Sequence, residues 1–139
     1  MALPASICIA LRWRCPICEK NSLASLNRGP LGMGLLTGKF SADSSLPAND
    51  VRTGWNFRDG EQAIRLEKLA LLRDVLTSDG RSLAQAALGW LWARSEATLP
   101  IPGFKTIAQV EDNVGALDYG PLSTCLLYTS DAADEYQRV

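Results

Sequence analysis

Apolar positions along this chain change their spacing several times, and each change marks an element. Leu23-Ala24-Ser25-Leu26-Asn27 alternates and predicts a short strand, closed by Gly29-Pro30. From Glu61 to Thr77, apolar Ile64, Leu69, Leu72, Val75 and Leu76 recur near the helical period, and Gly80 ends the run. Ser82-Leu83-Ala84-Gln85 is a capping-box pattern. The helix it opens runs to about Ala93, with Leu83, Ala86, Ala87, Trp90 and Leu91 as its buried stripe. Its small residues Ala86, Ala87 and Gly89 let a neighbour approach closely. Ala97 to Ile101 is a short apolar run of strand type, and Thr106 opens a third helix through about Ala116. Between Ser41 and Gly60 no period holds. That stretch is rich in Ser, Asp, Asn, Pro and Gly; its aromatics Trp55 and Phe57 favour a lid that packs down, with a mobile insertion as the alternative.

Strand, helix, helix, strand, helix is the order of parallel α/β units. Two strands joined by a long helical crossover lie parallel, with a right-handed connection. Two strands alone cannot hide both faces of a sheet, so the pattern predicts part of a larger α/β assembly.

Each strand runs into a turn suited to a phosphate. The first is Pro30-Leu31-Gly32-Met33-Gly34-Leu35-Leu36-Thr37-Gly38-Lys39. Its glycines permit close backbone approach to an anion. It is not a P-loop: counting back from Gly38 puts Met33 where the first glycine belongs, and Phe40 follows Lys39. Nor is it a dinucleotide fingerprint, because the gap before Gly38 is one residue too long. A tight turn without a ligand explains the same residues. The second is Pro100-Ile101-Pro102-Gly103-Phe104-Lys105-Thr106, which enters the third helix. A helix N-terminus favours bound phosphate, and Lys105 stands immediately before it. Gln109 and Asn113 are four apart and share one helix face, where side-chain amides can read a base edge. Thr106-Ile107-Ala108-Gln109 is equally a capping box. Both turns leave the carboxyl end of a predicted strand, the edge at which parallel α/β folds bind ligands.

These residues resemble the aldo-keto reductase family, its bacterial stress-related and aryl-alcohol-dehydrogenase-like branch. Leu23 to Lys39 is similar to the seventh barrel strand and its loop, Ser82 to Trp92 to the seventh helix, and Thr98 to Leu117 to the eighth strand and helix. The likeness covers residues 19 to 123. It implies an α/β fold that is the C-terminal portion of a (β/α)8 TIM barrel, with two parallel strands and three to four helices, not a closed barrel. It implies NADP(H) as cofactor and reduction of aldehydes or ketones. Leu31, Gly32 and Gly34 would lie near the pyrophosphate, and Gly103 and Phe104 beside the 2′-phosphate. Lys105 and Thr106 would hold that phosphate, and Gln109 and Asn113 would meet the adenine. Arg28 occupies the place where many members stack a tyrosine on the nicotinamide, and a guanidinium can stack on a ring.

The family's catalytic Asp, Tyr, Lys and His belong to the first half of the barrel. This sequence has no histidine, and Tyr119, Tyr128 and Tyr136 fall in the wrong region, so no general acid is assigned. The expectation is a cofactor-binding piece of a carbonyl reductase, without turnover by itself. The alternative is a non-catalytic nucleotide-binding or interaction module, a role the resemblance includes through potassium-channel β-subunits. Residues 1 to 18 stand outside the likeness. So do residues 124 to 139, which resemble translated sequencing-adapter read-through.

Composition narrows the field further. The 139 residues are 47% hydrophobic, enough for a core, and 14 basic against 15 acidic side chains give a net charge of -1. That balance argues against nucleic acid as a partner. No apolar run approaches the ~20 residues of a membrane span, and no positive charge precedes Ala2 to Leu11 as a signal peptide requires, so a cytoplasmic location is expected. Cys15-Pro16-Ile17-Cys18 has the C-x-x-C spacing, but no histidine and no second pair complete a zinc site, and no clear strand precedes it as in a redox motif. Cys8, Cys15, Cys18 and Cys125 are read as free thiols, with no metal site.

Overall fold

A computed structural model describes residues 17 to 127. Cys8, Cys15, Tyr128, Tyr136 and most of both terminal segments lie outside the described residues. Strands β1 (Ser25–Arg28) and β2 (Thr98–Ile101) pair in parallel, with Ser25 opposite Thr98 and Arg28 opposite Ile101. Helices α1 (Glu61–Leu76), α2 (Leu83–Arg94) and α3 (Ile107–Tyr119) follow in the predicted order. β1 starts two residues later than the alternation predicts. Leu23 is used to close the helical turn at 17–20: its N–H bonds the Cys18 carbonyl at 2.7 Å, beside Ser22 in the left-handed region.

α2 is the centre of the fold. Its N-terminus is the predicted capping box: the Ser82 hydroxyl accepts from the Gln85 N–H at 3.1 Å, and the Gln85 side chain accepts from the Ser82 N–H at 2.8 Å. The stripe read from sequence packs against α1 through Leu69, Leu72 and Leu76. A second face, Ala84 and Leu88, is also buried, against Leu31 of the first turn and Ala116 of α3. The sequence reading missed that face because α2 is apolar nearly all round, the signature of a helix buried on several sides. Small residues set the spacing, as expected. Leu122 donates its N–H to the Gly89 carbonyl at 3.0 Å, and the chain after α3 lies directly on the helix.

Arg81 locks this arrangement. Its guanidinium is almost fully buried; Nε bonds both Asp79 oxygens at 3.0 and 2.8 Å, and Nη1 reaches the Gly120 carbonyl at 3.3 Å. The group also lies 5.2 Å from the centre of the Tyr119 ring. Arg81 holds the Asp79 carboxyl below its ordinary pKa, mainly by these hydrogen bonds. The turn before α2 is thereby tied to the end of α3.

The helices cover one face of the sheet, where Ser25 and Thr98 are buried. Leu26, Leu99 and Ile101 on the opposite face are each more than half exposed. Among the described residues the sheet has two strands, so each has one edge without a backbone partner. No described helix is long and apolar enough to cross a membrane.

Candidate functional site

Because Arg28 and Ile101 are opposite one another in a parallel pair, the chain leaves both strands at the same edge. The two glycine-bearing turns are therefore neighbours, a juxtaposition that neither turn's local sequence contains.

The first turn is a 3-10 segment, Gly32–Thr37, kinked where Met33 (φ 55°) and Gly34 (φ 91°) enter the left-handed region. Leu31 is buried under it and anchors it to α2. The Gly32 N–H bonds the Gly29 carbonyl and the Gly34 N–H bonds the Leu31 carbonyl, both at 3.0 Å. The amide groups of these two glycines are thus already paired within the turn. The glycines supply the bend and the absence of a side chain. A Cβ on Gly34 would lie 2.8 Å from both Cε and Nζ of Lys39, so the Lys39 ammonium rests directly against that glycine.

The second turn is exposed from Gly103 to Thr106. Thr106 caps α3 through its hydroxyl, which accepts from the Gln109 N–H at 3.3 Å. The capping box is not reciprocal, however. The Gln109 side-chain oxygen accepts from Lys105 N–H at 2.7 Å, one residue before the cap. Gln109 thus fixes the backbone of Lys105, and its amide is only partly free to meet a base. Asn113 stands one turn further on and is half buried; its Nδ2 is buried without an acceptor. Arg28 projects from the open face of the sheet beside Ile101. Phe104 is mostly exposed. A Cβ on Gly103 would meet nothing within 4 Å, so the space beside it is open.

Three residues that sequence reasoning did not select complete the site. Lys39 ends the first turn; Asp50 and Arg52 come from the long loop. Phe40, Trp55 and Phe57 draw that loop down as expected, with Phe40 and Phe57 stacked at 4.9 Å and Trp55 edge-on to both. Arg52 and Asp50 form a largely buried ion pair, with Nη2 2.6 Å from Oδ2. Hydrogen bonds from the Arg52 side chain, and then from its backbone, hold the Asp50 carboxyl far below the usual carboxylate range. Burial, then the charges of Arg52 and Lys105, push the Lys39 ammonium below its ordinary value; Asp50 opposes them. Lys39 and Arg52 thus lie side by side against Gly34, and the charge of Lys105 from the second turn reaches Lys39. Asp50 is the anion that acts on Lys39. The Gly38-Lys39 ending was the one sequence signal for this group. Nothing in the spacing of Asp50 and Arg52 places them against a turn far back in the chain.

Among the described residues no group of three His, Cys, Asp or Glu could hold a metal ion. Cys18 is half buried and Cys125 exposed, and neither forms a disulfide.

Comparison with known proteins bears on the family and the fold. Residues 12–135 match the model of the Aldo/keto reductase family. The chain is 37% identical over 105 residues to a chloroplastic pyridoxal reductase of Arabidopsis thaliana, covering 74% of this chain and 27% of that protein. It is 32% identical over 101 residues to the NADP(+)-linked aldo-keto reductase yakc of Schizosaccharomyces pombe, covering 72% of this chain and 30% of that one. The chain thus spans under a third of either relative's length. Among solved structures, a glycerol dehydrogenase from Gluconobacter oxydans superimposes with a TM-score of 0.79 at 21% identity, over 94% of this chain and 39% of that one. Its fold is the TIM barrel, and the described residues form an open part of one, with two parallel strands.

Proposed function

The chain belongs to the aldo/keto reductase family, and from that premise we propose that its two turns grip the phosphates of NADP(H) in a carbonyl reductase. The observation that carries the proposal is that both turns leave the same end of the parallel strand pair, the first with Lys39 against Gly34 and the second with exposed Lys105 at the start of α3. Parallel α/β folds bind ligands there. The relative from Schizosaccharomyces pombe carries NADP(+) in its name.

On this reading Lys105, its backbone fixed by Gln109, holds the 2′-phosphate at the start of α3 with the Thr106 cap. Gly103 and Phe104 lie beside that phosphate. Gly32 and Gly34 let the pyrophosphate lie close over the first turn, with Leu31 as its buried anchor. Gln109 and Asn113, four apart on α3, meet the adenine, for which the Asn113 amide must turn out from its buried position. Arg28, at the open face, stacks on the nicotinamide ring. When bound, the cofactor supplies a hydride to an aldehyde or ketone carbon. The carbonyl oxygen needs a proton donor, and the histidine-free 139-residue chain assigns none. The chain alone is expected to bind NADPH without oxidising it in the presence of a simple aldehyde, as absorbance at the nicotinamide band would show.

Titration calorimetry tests the grip. Lys105→Ala is expected to weaken NADP+ about tenfold, the loss of one charge-assisted contact, and to leave NAD+ unchanged. Gly103→Ala is a clean probe of occupancy, because its Cβ meets no protein atom within 4 Å. It should leave the melting temperature unchanged and reduce binding of NADP+ more than that of NAD+. Equal effects of Lys105→Ala on NADP+ and NAD+ would remove the 2′-phosphate assignment.

A further inference from the structure

The first turn keeps an unusual shape. Met33 is a non-glycine residue at φ 55°, followed by Gly34 at φ 91°. L residues hold that region only when their surroundings impose it. The Met33 side chain is more than half exposed, so burial does not impose it. What meets the bend from outside is Arg52, whose Nη1 donates to the Met33 carbonyl at 2.7 Å.

Arg52 is itself aimed by Asp50. The carboxylate accepts the Arg52 backbone N–H at 2.9 Å and Nε at 2.7 Å on Oδ1, and Nη2 at 2.6 Å on Oδ2. This forked grip uses one edge of the planar guanidinium and leaves Nη1 turned to the Met33 carbonyl. Phe40 lies 5.3 Å from the guanidinium carbon and is itself backed by Phe57. Both charged side chains are largely covered, 13% and 14% exposed. By contrast, the other ion pair of the same loop, Arg58 with Asp43, is 75% and 86% exposed.

We infer that Asp50 is a positioning residue: by fixing Arg52 against the Met33 carbonyl it holds the first turn in its left-handed form before any ligand arrives. The long loop is then a strap whose buried ion pair shapes the turn, and its exposed pair is incidental. For its consequence on binding the inference rests on the nucleotide reading of the turn. Asp50 would serve NADP+ and NAD+ alike, because the first turn faces the pyrophosphate common to both.

Hydrogen exchange on the full chain, followed by mass spectrometry, tests the strap without a ligand. Asp50→Asn should speed exchange in residues 31 to 40 at least about tenfold, the loss of a charged hold on one carbonyl. Residues 83 to 94 should be unchanged, and Arg58→Ala should alter neither region. Exchange in 31 to 40 equal to wild type overturns the inference. If Asp50→Asn also loosens 83 to 94, Arg52→Lys decides, since it keeps the charge and loses the fork: a rise confined to 31 to 40 supports the strap, and none overturns it. Calorimetry with Asp50→Asn should show NADP+ and NAD+ weakened by the same factor; loss of NADP+ alone overturns the shared-pyrophosphate placement. If the wild-type chain binds neither nucleotide while the exchange contrast stands, the strap is supported and only the nucleotide reading falls.

Discussion

Leu91→Ala is expected to destabilise the fold by about 2–5 kcal/mol, the range for truncating a fully buried leucine. Leu91 is 0% exposed and sits on α2, in the cluster that joins this helix to α1. The same cluster holds Leu72 and Leu76 of α1, so truncation leaves a cavity in the core shared by the two helices. A domain of this size has only ~5–15 kcal/mol of stability in total, so the loss is a large share of it. Thermal unfolding followed by far-UV circular dichroism should show the midpoint lowered by at least about 8 °C. A shift of about 2 °C or less would mean that α1 and α2 are not held together through this residue.

Gly89→Ala sets two effects against each other, and their sizes decide the sign. Alanine in place of a mid-helix glycine should gain about 1 kcal/mol from backbone entropy. The added Cβ, however, would lie 2.8 Å from the Gly120 carbonyl oxygen and 2.7 Å from Nη1 of Arg81. The guanidinium could shift only by giving up its bonds to Asp79 and Gly120. The carbonyl is backbone, at the cap of α3, and cannot rotate away. Overpacking of this kind costs about 1–3 kcal/mol, and release of the Arg81 clamp adds to it, so destabilisation wins. Urea unfolding should show a lower midpoint with an unchanged slope. A midpoint equal to or above wild type would show that the end of α3 does not rest on α2 as described.

The sequence announces local geometry well here and distant contacts poorly. Ser82 and Gln85 form their reciprocal cap because both partners lie within one turn, where chain entropy leaves few alternatives. The two strands and three helices are likewise legible from periodicity, apart from the start of β1. The second capping pattern misleads by a single residue, since Gln109 finds the N–H of Lys105 instead of that of Thr106. The second buried face of α2 could not be read, because a helix apolar on all sides carries no directional signal. The site was legible in its two turns and illegible in its charges. Gly34, Gly103 and Lys105 stand out from their local sequence. Arg52 reaches Met33 across 19 residues of irregular chain, and no rule of spacing predicts where such a loop folds back. Convergence of the turns follows from the strand register, which is a property of pairing and not of either segment.

The open face of the sheet has a consequence for how this chain behaves in solution. Leu26, Leu99 and Ile101 are exposed apolar residues on one face, and among the described residues each strand has one edge of peptide groups without a strand partner. Along α3, Ile107, Val114 and Leu117 add a second exposed stripe. Surfaces of this kind couple folding to association, because anything that docks on them binds only the folded chain. A partner that docks there therefore raises the melting temperature of this chain by mass action, in proportion to the logarithm of the partner's concentration once binding is saturated.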